Sequence, residues 1–110
     1  MDFDAYLRLS GRTRANDLDS NTALAVAALG LTGEAGEVAD LVKKHIGHAH
    51  DLDVIKVREE LGDLLWYVAW VCELTGLSMA DVANENLKKL HKRYPEGFSP
   101  ERSKNREALP

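Results

Sequence analysis

The sequence predicts an all-α protein, a four-helix-type bundle built on one long central hairpin. Three observations carry that prediction. Leu24, Ala27, Ala28, Leu31, Ala35, Val38, Leu41 and Val42 recur at helical spacing, and so do Val57, Leu61, Leu64, Leu65, Val68, Val71 and Cys72. Each set lays an apolar stripe along one face of a helix. No stretch shows the alternation of apolar and polar residues that marks a half-buried strand. The polar stretch Gly47-His48-Ala49-His50-Asp51 between the stripes reads as a turn, short enough to return the second helix antiparallel to the first.

Asp2 to about Leu9 is predicted as a short helix with Phe3, Tyr6 and Leu7 on one side, ended by Ser10-Gly11. Arg12 to Asp19 is polar and expected to be irregular. Ser20 or Asn21 can cap the next helix by accepting a backbone N–H bond, and that helix runs to about His45. Gly30, Gly33 and Gly36 lie inside it. Each costs roughly 1 kcal/mol against alanine, which points to a kink or a close helix–helix approach. Asp51 or Asp53 starts the third helix, and Gly76 supplies a left-handed stop. Ser78-Met79-Ala80-Asp81 has the form of a capping box, with Asp in the usual place of Glu. The helix it opens continues through Val82, Leu87 and Leu90 to about Arg93, where Pro95 and Gly97 end it. Residues 1–98 then make a single helical domain, and residues 99–110 a polar tail that is extended or mobile.

At 110 residues and 45% hydrophobic content, helices packing alone leave much apolar surface uncovered. Completion of the bundle as a homodimer or homotetramer is therefore expected. The net charge of -4 argues against a nucleic-acid polymer as partner, which needs a basic face. It leaves room for a small anion held by local lysines and a metal. Cys72 is the only cysteine, so no intrachain disulfide can form, and a cytoplasmic setting is expected. The start Met1-Asp2-Phe3-Asp4 is neither basic nor apolar, unlike a signal peptide. Charges interrupt every apolar stretch, so no membrane span is expected.

Two carboxylate pairs carry the chemistry: Glu34-x-x-Glu37 and Glu60-x-x-Asp63. Residues three apart on a helix share a face, with Cβ atoms roughly 5–6 Å apart. An antiparallel hairpin can bring all four acids together, and such a cluster repels itself unless a cation sits within it. An all-oxygen donor set suits a hard divalent ion such as Mg²⁺, with Mn²⁺ as a substitute. Other readings are weaker. Gly33-Glu34-Ala35-Gly36 lacks the Gly-Lys-Ser/Thr ending of a P-loop. His45, His48 and His50 are irregularly spaced and read as a solvated turn. No glutamate has histidine three residues on, which argues against a di-iron bundle.

The stretch Gly33-Glu34-Ala35-Gly36-Glu37-Val38, then Glu59-Glu60-Leu61-Gly62-Asp63-Leu64-Leu65-Trp66-Tyr67, then Asn86-Leu87-Lys88-Lys89-Leu90-His91-Lys92-Arg93-Tyr94-Pro95, strongly resembles the MazG-like all-α nucleoside triphosphate pyrophosphohydrolases. The resemblance spans roughly residues 22 to 98. It implies that Glu34, Glu37, Glu60 and Asp63 hold Mg²⁺, and that a nucleoside triphosphate is cut between its α and β phosphates. Glu37 is the first choice for the base that activates water. The resemblance also implies that Asn86, Lys89 and Arg93 contact phosphates or ribose. Lys43, Lys44 and Lys56 flank the turn and can add positive charge. Tyr67 or Trp70 could line a base pocket, with core or interface the favoured place for Trp66 and Trp70. Two alternatives stand beside this reading: an inactive helical interaction module of the same fold, and an enzyme like phosphoribosyl-ATP pyrophosphohydrolase. The sequence does not indicate base or sugar preference.

Overall fold

A computed structural model describes residues 1–106 of the chain. The order is α1 (Phe3–Ser10), a 3₁₀ turn (Gly11–Thr13), α2 (Ser20–Gly47), α3 (Val54–Thr75), α4 (Met79–Arg93) and α5 (Pro100–Lys104). The described residues contain no strand. The fold is the all-α one expected, built on the α2–α3 hairpin.

Side-chain size sets the hairpin. Small residues on α2 face large rings on α3: Ala23 and Ala27 pack on Trp70, with Trp66, Tyr67, Val71 and Leu74 around them. Gly30 is the tightest point. A Cβ placed there would lie 2.1–2.6 Å from the Tyr67 ring, so only glycine lets the ring lie across the helix. The close approach expected of the three glycines is real at this one alone. Gly33 and Gly36 meet nothing within 4 Å, and α2 runs through them as one helix.

The caps follow local chemistry. Asp19, not Ser20 or Asn21, caps α2: its backbone is extended and its carboxylate accepts both the N–H and the hydroxyl of Thr22, each at 2.9 Å. Ser20 is already the first helical residue and cannot serve. Asp53 caps α3, Gly76 ends it at φ 71°, and Ser78 caps α4.

α4 turns away from the hairpin and packs on α1. Asp4 is the pin, accepting the Ser78 hydroxyl at 2.9 and 3.0 Å and the Ala80 N–H at 3.2 Å. Below it lies a second core of Ala69, Cys72 and Met79, edged by Tyr6, Leu7, Leu65 and Val68. The segment expected to be irregular begins as a 3₁₀ turn and sends Arg14 inward, only 3% of its side chain exposed. Arg14 donates to Glu73 at 2.6 Å, to the Ser10 hydroxyl at 2.6 Å and, at 3.5 Å, to the Leu7 carbonyl. The tail also departs from expectation. Ser99 caps α5 and Pro100 occupies its first turn, the arrangement that favours a helix start. Arg102 Nε ties α5 back to the Arg93 carbonyl. The last four residues of the expected tail lie outside the described residues.

The radius of gyration is 17.2 Å, against about 13 Å for a closed domain near this length. Leu29, Ile46, Val54, Ile55 and Leu61 stand exposed along the hairpin. Among the described residues, no helix is long and apolar enough to cross a membrane.

Candidate metal centre

The hairpin register that seats Tyr67 on Gly30 also sets Glu34, one turn on along α2, opposite the second turn of α3. Carboxylate oxygens of Glu34, Glu60 and Asp63 all lie within 4.8 Å of one another. Glu34 and Glu60 are half-buried and Asp63 is exposed. The cluster is strained electrostatically. Glu34 is held above the usual carboxylate range, first by sharing a hydrogen bond with Glu60, then by burial, then by the charges of Asp63, Glu60 and Glu37. Two carboxylates can share a hydrogen bond only if one keeps its proton. No basic group is among the causes acting on Glu34. A divalent cation would supply the missing charge, and three oxygen donors at this spacing fit a hard ion.

The fourth predicted acid, Glu37, lies one turn along α2, exposed and outside the tight group, with its charge still felt at Glu34. Beside the acids is a pocket of about 280 Å³ lined by Glu34, Asp63, Trp66 and Tyr67. Tyr67, one of the two rings offered for a base pocket, lines this one. Trp66 sits there too, although its sequence context favours core or interface. Trp70 belongs to the core, 5% exposed.

The predicted cations scatter. Lys56 lies exposed one turn before Glu60 on the same stripe of α3. Lys43 and Lys44 both pair with Asp40, at 3.2 and 2.8 Å. Lys44 also feels the charge of Glu37, which makes it the nearer candidate of the two. Asn86 and Lys89 line a separate groove of about 700 Å³ with Gly76, Leu77, Ser78, Asp81, Val82 and Glu85. Arg93 ends α4, its carbonyl engaged by Arg102. α4 packs on α1, and none of these three residues lines the pocket beside the acids. His45 bonds through Nδ1 to the His50 carbonyl at 2.8 Å, and the histidines join no ligand group among the described residues.

Comparison with known proteins adds two matches. The family model of the MazG nucleotide pyrophosphohydrolase domain matches residues 23–98. The Gene 37 protein of Mycobacterium phage L5 is 38% identical over 90 residues, covering 76% of this chain and 76% of that protein. No solved structure gives a significant match.

Proposed function

The chain belongs to the MazG nucleotide pyrophosphohydrolase family, and on that premise we propose that it hydrolyses nucleoside triphosphates, with Mg²⁺, to nucleoside monophosphate and pyrophosphate. The observation that carries this reading is the self-repelling trio Glu34, Glu60 and Asp63 beside an aromatic pocket. Those three carboxylates would hold the cation, which when bound neutralises phosphate oxygens and lowers the pKa of a coordinated water. Glu37 stands outside the trio and keeps a carboxylate free to take a proton from the attacking water. Lys56 and Lys44 supply positive charge toward the β and γ phosphates.

Asn86, Lys89 and Arg93 reach the acids of another copy rather than their own. The open shape and the exposed apolar residues of the hairpin support this. The working protein is then a homodimer or homotetramer in the cytoplasm. Light scattering on eluted protein should return a dimer or larger mass; an active monomer at micromolar concentration rejects the shared arrangement.

The separation of the α4 cations from the acids also favours one other reading, a helical interaction module that keeps the bundle without turnover. A nucleotide panel with Mg²⁺, assayed separately for pyrophosphate and orthophosphate, decides between them. Pyrophosphate release that stops on chelation supports the enzyme. Orthophosphate alone, or activity untouched by chelator, rejects the proposed reaction. Silence across the panel favours the module.

A further inference from the structure

The pocket beside the acids has two characters. Glu34 and Asp63 form its ionic end, Trp66 and Tyr67 its aromatic end. At about 280 Å³ it is small for a whole nucleotide, since drug-sized ligands take roughly 300–1,000 Å³. It suits one flat heteroaromatic ring. A tryptophan wall discriminates between rings only if its own orientation is fixed.

Trp66 is fixed from a distant part of the chain. Its Nε1–H donates to the Thr13 hydroxyl at 2.9 Å. The Arg14 guanidinium carbon lies over the indole, 5.3 Å from its centroid. The rings of Tyr67 and Trp70 pack edge-to-face with it, their centroids 4.9 and 5.4 Å away. Arg14 is itself immobilised by Glu73, Ser10 and the Leu7 carbonyl. Its Nε is buried with no acceptor. The guanidinium therefore stands between these acceptors and the indole. Because Thr13 takes the only indole donor, Trp66 has no N–H left to read a ring's polar edge. What remains is selection by ring size and stacking.

We propose that Thr13 and Arg14 are positioning residues that set Trp66 as a wall of the acid-lined pocket, and through it govern which base the site accepts. The base-selection half rests on the pyrophosphohydrolase reading; the indole-setting half does not.

The test uses full-length protein carrying 5-fluorotryptophan, whose two ¹⁹F resonances are assigned with Trp66→Phe. Thr13→Val removes the acceptor at an exposed residue. Arg14→Lys keeps the charge but loses the planar fork. Asp4→Asn loosens α1 from α4 without touching Trp66. In Thr13→Val and Arg14→Lys the Trp66 resonance should shift or broaden while that of Trp70 holds. KM should rise about three- to tenfold, the scale of one lost neutral hydrogen bond, and unequally for purine and pyrimidine triphosphates, with kcat near wild type. Asp4→Asn should leave the Trp66 resonance at its wild-type position. A Trp66 resonance unmoved in Thr13→Val overturns the proposal. So does a KM that rises equally for every base, or a kcat that falls alone. If the wild type cleaves no triphosphate, the enzyme reading and base selection fail together. The ¹⁹F spectra still decide whether Thr13 and Arg14 set the indole.

Discussion

Midway along the hairpin three acids crowd together; at its open end opposite charges are matched. Glu34, Glu60 and Asp63 bring three acid oxygens within 4.8 Å with no base acting on Glu34. Arg14, by contrast, meets Glu73 at 2.6 Å and two further acceptors, and Asp4 is satisfied by Ser78 and Ala80. The three acids sit on α2 and α3, whereas the matched groups tie α3 and the start of α4 to the N-terminal segment. Folding alone favours matching charge with countercharge, because a buried unpaired charge is costly. The place where matching fails is the one the proposed cation would occupy. Local rules commonly break at functional sites, and the trio is a break of that kind.

The comparison breaks most visibly under substitution. Glu60→Ala or Asp63→Ala should cut turnover at least about a hundredfold, as loss of one electrostatic stabiliser typically does. The same changes should leave the apo melting temperature unchanged or raised, since removing one of several like charges relieves repulsion. Steady-state pyrophosphate release and melting in chelator measure the two halves. Full activity removes these acids from the site, and unfolding of each variant makes them structural.

Gly30→Ala tests the contact that seats both halves. The new Cβ would fall 2.1–2.6 Å from the Tyr67 ring, so the ring or α2 must move. Overpacking of this kind costs about 1–3 kcal/mol. Urea unfolding should show that loss, with the pocket wall displaced and catalytic efficiency reduced as well. A variant as stable as wild type would falsify the close approach.

Glu73→Gln sharpens the other side of the comparison. It leaves the buried Arg14 with a neutral acceptor. Glu73 is 48% exposed and screened by solvent, so the cost should be only about 1 kcal/mol, the reverse of the acid-cluster variants in sign. A stabilised Glu73→Gln would mean that the two regions are not electrically different after all.

Much of this contrast was legible in the residues themselves. The two apolar stripes gave the hairpin, and Gly76 and Ser78 gave the corner between α3 and α4, because helical period and capping are local. Glu34, Glu60 and Asp63 followed from the stripe they share with apolar neighbours. What escaped was long-range. Trp66 does edge the core, as its sequence context suggests, but nothing near it in sequence reveals Thr13 and Arg14. The direction of α4 depends on Asp4, which is tied to Ser78 across most of the chain. Asp19 competes with Ser20 and Asn21 as a cap, and only the Thr22 hydroxyl and N–H decide for it. The Ser99-Pro100 signal for α5 was present but masked by the polar composition around it.

The smallest effect lies in the pH dependence of the metal-free protein, where the two kinds of carboxylate pull in opposite directions. Glu34 is raised above the usual glutamate value of 4.5, chiefly by its hydrogen bond with Glu60. In the unfolded chain that neighbour is absent, so between 4.5 and the raised value the folded protein binds more protons. Stability must therefore fall as pH rises through that window. Asp4 and Asp19 are lowered from 3.8 by hydrogen bonds to Ala80 and Thr22. Their contribution is present above 3.8 and is lost as pH drops through their folded values. The apo melting temperature should accordingly pass through a maximum between the two windows. In Glu34→Gln the decline on the alkaline side should flatten while the acid side stays. Saturating Mg²⁺ should also remove the alkaline decline, because a cation that binds only the folded state stabilises it and competes with the proton. Melts in chelator and in Mg²⁺ from about pH 3 to 8 read all three. An alkaline slope unchanged in Glu34→Gln would place the strain elsewhere and dissolve the distinction between the two regions.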